Sequence, residues 1–154
     1  MAEKFEEIAA EFQKRVSTIV WCTMTTVDRK GRPRTRIVHP IWEGTTGWVL
    51  TGRESLKAKH LAKNPFVSVS YWSLEHGLVV ADCECSWEES TKEQERVFKL
   101  FQATPPPYGY DPEMLGMKSG APGIGYLRFK PWRVELHSLA DVMQGKPAQV
   151  WKAE

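Results

Sequence analysis

The sequence predicts a mainly β protein: a six-stranded antiparallel barrel, or strongly curled sheet, with helices at its margins. Three observations carry that expectation. Six runs rich in β-branched and aromatic residues are joined by connections marked with Gly, Asp or Pro, the pattern of an all-β meander. Helical periodicity is confined to the start of the chain, a short stretch after Thr51 and a longer one after Ser90. Strands of this composition would expose sticky edges in an open sheet, and closing the sheet removes them.

Each element follows from its own residues. Phe5, Ile8, Ala9, Phe12 and Val16 recur at helical spacing among acids and lysines, which predicts an amphipathic helix over roughly residues 1–15. Ser17–Val27 (STIVWCTMTTV) then reads as a strand ending in the turn Asp28–Gly31. The run Pro33–Trp42 is a second strand, with Pro33 at its start and Pro40 marking an edge or bulge. Gly47–Thr51 is a third. In TGRESLKAKHLAKNP, Ser55 is a good N-cap and Pro65 a stop, so a short helix spans Leu56 to Lys63. Phe66–Trp72 and Gly77–Trp87 alternate as strands. Ser90 and Glu93 have capping-box spacing, and Val97, Phe98, Leu100 and Phe101 form a stripe that ends at Thr104 and three prolines. Residues 104–123 are a Pro/Gly-rich loop with Tyr108, Tyr110, Met114 and Met117, long enough to be functional or mobile. The run 124–139 is the last strand, and the tail after Ala140 shows weak structure.

With 154 residues, 42% apolar and 26% charged, the chain fits one domain, 1–154. No window is apolar enough for a membrane span or a secretory signal, so a soluble, cytoplasmic protein is expected. Three cysteines without a Cys-x-x-Cys suggest reduced thiols. The net charge of +2 is unevenly spread: residues 28–36 carry +4 and residues 53–63 carry +3, which leaves the remainder at −5. That focus suits one anionic ligand better than a coating for nucleic acid, although two solvated faces would look the same.

Lys57 falls in the first turn of the short helix, where unpaired N–H groups already favour an anion. Ser55 and Lys57 thus make a candidate phosphate or carboxylate site, and Arg36 on the second strand offers a planar fork for the same group. A solvated lysine and an exposed barrel arginine are the plain alternatives. Cys83 and Cys85 share a strand face without further ligands, and the histidines at 39, 60, 76 and 137 lack ligand spacing, so no metal is expected. No nucleophile motif occurs. Of the seven tryptophans, most belong in core or interface, with Trp42, Trp72 or Trp132 able to flank a planar ring.

The order of a helix, then TIVWCTMTTVDRKGRPRTRIVHPIW, then WVLTGRESLKAKHLAKNPFVSVSYW, then a long strand, resembles the pyridoxamine 5′-phosphate oxidase-like, FMN-binding split β-barrel superfamily. The likeness covers residues 5–87 and, less closely, 124–137. Its most telling piece is Ser-x-Lys, a short helix and Asn-Pro after a strand ending in Thr. The resemblance implies a homodimer that binds FMN between its subunits. It implies that Arg36, Ser55 and Lys57 hold the phosphate, that Ile37, Val38 and His39 lie along the flavin, and that Leu50 and Thr51 touch the ring or ribityl chain. Hydride then passes to or from a small molecule at the flavin.

The departures matter as much. Leu56 stands where the oxidases keep an arginine, so one phosphate ligand is either missing or replaced by Arg53 or Lys59. His76 falls near the place of a partner-chain glutamine, and His137 near that of a stacking tryptophan. The tail DVMQGKPAQVWKAE lacks the oxidases' Arg-x-His, which argues against oxidation of pyridoxamine phosphate itself. Arg32, Arg34, Arg53, Lys59 and Lys63 would suit the longer anionic tail of the deazaflavin coenzyme (F-420), so a deazaflavin-dependent reductase is the second expectation. A non-catalytic protein that stores or senses a cofactor is the third. Neither a nucleic acid nor a membrane is an expected partner.

Overall fold

Eight strands, each antiparallel to its neighbours, form one sheet in the computed structural model, which describes residues 2 and 4–154. The first hairpin is β1 (Cys22–Val27) with β2 (Pro33–Val38), and the second is β3 (Ile41–Glu43) with β4 (Thr46–Gly52). β5 (Phe66–Ser73), β6 (Gly77–Trp87), β7 (Ile124–His137) and β8 (Gln149–Lys152) complete the set. The spatial order is β2-β1-β5-β6-β7-β4-β3, with β8 beside β7. β2 and β3 therefore stand at opposite ends of the order, yet only His39 and Pro40 join them. So short a link spans about 10 Å, and the sheet must curl until its ends approach. The result is a barrel left open between β2 and β3.

Eight strands replace the expected six for two reasons. Pro40 has no N–H to give to a ladder, so the run 33–42 breaks into β2 and β3 instead of continuing. The tail is also more ordered than its composition suggests. It holds α4 (Leu139–Met143) and β8, and Trp151 is buried opposite Val134 of β7 with its ring 5.2 Å from that of Phe5.

A further correction falls at the start. α1 (Glu6–Ile19) runs through Ser17, Thr18 and Ile19, which the β-branched run had suggested as strand. The hydroxyls of Ser17 and Thr18 turn back onto the Lys14 carbonyl at 3.2 and 2.6 Å, and Val16 completes a stripe with Ile8 and Phe12 that is buried in the barrel. Packing outweighs β-propensity here. Val20 then takes a positive φ of 71°, rare for a β-branched residue. It reverses the chain abruptly and delivers Trp21 to the surface.

The caps behave as their residues predict. Ser55 accepts from the Ala58 N–H at 3.3 Å and starts α2 (Leu56–Leu61), which ends two residues earlier than expected. Ser90 accepts from the Glu93 N–H at 3.4 Å and starts α3 (Thr91–Ala103). The main core joins the α1 stripe to Met24, Tyr71, Val79 and Phe129 inside the sheet. A second cluster packs Val97, Phe98 and Phe101 of α3 against Ile41, Trp48 and Leu50. Cys83 and Cys85 are buried within the main core.

Candidate functional site

A cavity of about 550 Å³ opens where the ends of the curled sheet approach. Ile37, Val38 and His39 line it from the β2–β3 crossover, Val49, Leu50 and Thr51 from β4, and Lys57 from α2. Pro107, Tyr110, Asp111, Met114 and Leu115 supply the opposite wall, and Trp21 completes the mouth. Apart from Thr51, Lys57 and Asp111 the lining is apolar or aromatic, and Asp111 is already hydrogen-bonded within the wall. Its carboxylate accepts from the Glu113 N–H at 3.1 Å and from the Gln102 side-chain amide at 3.0 Å.

Positive charge gathers at the α2 side. The Arg36 Nη1 donates to the Thr26 hydroxyl at 2.8 Å and to the Met24 carbonyl at 3.2 Å. Its Nη2 is buried and finds no acceptor among the described residues. Lys57 is half-buried, and burial, reinforced by the nearby Arg36 charge, pushes its pKa below the ordinary lysine value. Neither cation forms an ion pair among the described residues. Two adjacent, partly desolvated cations and one orphaned donor are costly unless an anion arrives to satisfy them. Ser55, at the start of the same helix, uses its oxygen as a cap acceptor and keeps its O–H for donation. These groups fit a phosphate.

The far wall is held by aromatic contacts. The His39 ring lies between Trp21 and Tyr110, with centroids 4.7 and 4.8 Å away. Its Nε2–H donates to the Tyr108 carbonyl at 2.6 Å. Burial lowers the His39 pKa from its ordinary value, which keeps the ring neutral near pH 7. The Tyr108 hydroxyl accepts from the Trp42 N–H at 2.6 Å, and Tyr110 meets Phe101 of α3 edge-on at 5.1 Å. The 104–123 segment is thereby a fixed wall at Pro107–Leu115, braced by a 3₁₀ turn at Pro112–Leu115.

Most of the residues singled out in the sequence converge here. Ile37, Val38, His39, Leu50, Thr51 and Lys57 line the cavity, and Arg36 and Ser55 adjoin it. Leu56 is 48% exposed and is not part of the lining. Arg53 does not replace the missing arginine, because it pairs with Glu89 and stacks on Trp87 at 4.7 Å. Lys59 is exposed. His76 and His137 lie elsewhere: His76 sits in the β5–β6 turn beside Glu75, and His137 lines a separate cavity of about 210 Å³ with Trp72, Leu74, Leu139 and Val142. Trp42 is in the core, while Trp72 and Trp132 are exposed and face no part of the main cavity. The tryptophan that does reach it, Trp21, was missed. A signal existed, since counting back from the Asp28–Gly31 turn pairs Cys22 with Val38 and puts Trp21 beside His39 one step beyond. Among the described residues no group of His, Cys, Asp or Glu side chains could hold a metal ion, and no helix is long and apolar enough to cross a membrane.

Fold and cavity together define a class: an antiparallel split barrel with a cation-edged pocket at the meeting of its two ends. The chain belongs to the pyridoxamine 5′-phosphate oxidase family, whose model matches residues 8–115. Solved structures of similar fold include a protein from Clostridium acetobutylicum related to general stress protein 26, of the pyridoxine phosphate oxidase family, at 12% identity and a TM-score of 0.71 over 96% of this chain and 95% of that one. A pyridoxamine 5′-phosphate oxidase-related, FMN-binding protein from Nostoc punctiforme gives 13% identity and a TM-score of 0.65 over 100% and 98%. The haem storage protein HutZ from Vibrio cholerae gives 18% and 0.59 over 84% and 91%. At such identities the likeness is one of fold. No curated protein matches the chain in sequence.

Proposed function

We propose that this protein binds FMN in the main cavity and works as a flavin-dependent oxidoreductase on a small molecule. The observation that carries the reading is the buried, acceptorless Nη2 of Arg36 beside Lys57, at the edge of an otherwise apolar pocket. Arg36, Lys57 and the Ser55 hydroxyl would hold the phosphate, and Ile37, Val38, Leu50 and Thr51 would pack along the ring. When bound, the flavin supplies two-electron redox chemistry. The chain contributes orientation, a desolvated surface and a wall of Trp21, His39 and Tyr110 that keeps water from one side.

One cationic pair serves one phosphate. The remaining lining offers no further cation, and its one other charged group is the Asp111 carboxylate, which supports a substrate without a phosphate of its own rather than a phosphate ester such as pyridoxamine phosphate. A deazaflavin is the weaker reading, because Arg32 and Arg53, two of the residues meant for its longer anion, are paired with Asp28 and Glu89. A homodimer is part of the proposal. The second cavity is rimmed by exposed Trp72, Leu74, Leu139 and Val142, and a contiguous apolar surface of that kind suits a second copy. His137 lines that cavity and His76 lies in the adjoining β5–β6 turn, so both would reach a flavin only across such an interface. The unpaired thiols of Cys22, Cys83 and Cys85 favour a reducing compartment such as the cytoplasm.

The visible spectrum of the purified protein, with and without added FMN, tests the cofactor. Two bound flavin bands are expected. A single band at shorter wavelength would favour the deazaflavin, a haem spectrum would favour a storage role, and failure to bind any of these would remove the enzyme reading. A flavin that binds and never turns over would leave a non-catalytic role.

A further inference from the structure

The Arg36 fork is held from behind by a buried relay. Thr26 is fully buried and His60 is 9% exposed. The Thr26 Oγ1 lies 2.8 Å from the Arg36 Nη1 and 2.8 Å from the His60 Nδ1. A guanidinium can only donate, so Thr26 accepts from Arg36. The Thr26 oxygen has a second lone pair, but its own proton has no other acceptor among the described residues, so donation to His60 Nδ1, with the imidazole proton on Nε2, is the arrangement that satisfies every group of the relay.

The origin of the three residues gives the relay its meaning. Met24 of β1 pairs with Arg36 of β2, and Thr26 stands two residues further along the same face, diagonal to the arginine. His60 comes from α2, the helix that also carries Lys57. The relay therefore ties the strand bearing one cation to the helix bearing the other. Polar side chains are buried only with partners, and here the partnership leaves Nη2 without an acceptor.

We infer that Thr26 and His60 are positioning residues which lock the Arg36 guanidinium beside Lys57 so that Nη2 is presented to the phosphate of a bound nucleotide-like cofactor. The inference rests on the phosphate site proposed above. A purely structural pin would affect folding and leave phosphate recognition unchanged, so the two roles separate by experiment.

The test is a titration of the full-length chain with FMN and, in parallel, with riboflavin, which lacks the phosphate. The ratio of the two affinities reads the phosphate contact within each folded variant. Thr26→Val keeps the shape and removes the relay's centre, and His60→Leu removes its end. Each should lower FMN affinity about tenfold with riboflavin affinity unchanged. Thr26→Ser, and His60→Asn with its side-chain carbonyl in place of Nδ1, should restore the wild-type ratio. If Thr26→Val or His60→Leu folds and keeps that ratio, the relay is overturned and FMN binding stands. If wild-type protein binds FMN no more tightly than riboflavin, the phosphate site itself fails and the relay with it. Should His60→Leu fail to fold, Thr26→Val, close in volume to the native residue, still decides.

Discussion

Lys57 carries a cost that an anion would relieve. It is partly desolvated and lies near a second cation, so its pKa falls below the usual lysine value. A phosphate removes both costs. Lys57→Ala should therefore weaken FMN binding by about 1–3 kcal/mol, the range for a charged hydrogen bond, and leave the thermal stability of the unliganded protein unchanged or slightly raised. Isothermal titration and a melting curve check the two halves. The pH dependence has a definite sign. Above the phosphate's second ionisation, near pH 6, the ligand charge is constant, whereas Lys57 loses its proton as pH rises through its lowered pKa. FMN affinity should then decline on the alkaline side before the ordinary lysine value of about 10.4 is reached. Lys57→Arg should push that decline to higher pH, and an identical profile in both proteins would remove Lys57 from the site. At this scale the sequence was informative where chemistry is local. Residue type and spacing marked Ser55, Lys57 and Arg36 as candidates, and the family resemblance made them candidates for a phosphate. Thr26 and His60 were not marked, because a threonine and a histidine declare a shared proton only when two distant segments meet.

Among the elements, the 104–123 segment shows how a proline-rich loop becomes a wall. Its hold on the barrel runs through Tyr108, whose hydroxyl accepts from the Trp42 N–H and whose carbonyl accepts from His39. Tyr108→Phe should leave that N–H buried without a partner, at a cost of about 1–3 kcal/mol. For a chain of this size the melting temperature should fall by several degrees, and flavin affinity should fall with it as the wall loosens. An unchanged melting temperature would show that the loop is held by Tyr110 and Phe101 packing alone. α2 depends on its cap in the same way. Ser55→Ala should lose about 0.5–2 kcal/mol by chemical denaturation, and FMN affinity should drop further than riboflavin affinity because the same hydroxyl is assigned to the phosphate. The turns and caps of these elements were legible in the residues. The boundary between α1 and β1 was not: Ser17–Ile19 have strand-like chemistry, and burial of Val16 in the barrel settled the matter.

Over the whole molecule, the exposed Trp72, Leu74, Leu139 and Val142 around the second cavity lead to a prediction about assembly. Sedimentation velocity should find a dimer, and Leu74→Glu with Val142→Glu should shift it toward monomer and weaken flavin binding together. A monomeric wild type that binds FMN fully would separate the cofactor site from any interface and leave His76 and His137 without a part in it.

By itself the sequence determined the β-rich class, the hairpins at Asp28–Gly31 and Glu43–Thr46, the capped helices, and the gathering of positive charge on two short segments. Those features depend on backbone preference and on neighbours a few residues apart, and residue type reports both. Only the tertiary structure decided that the Nη2 of Arg36 lacks an acceptor among the described residues, that Arg53 is spent on Glu89, that Trp21 and Tyr110 flank His39, and that the tail adds a strand. Each of these depends on desolvation or on contacts across the curled sheet. Such terms take their value from what surrounds a group in space, and the order of residues does not state it.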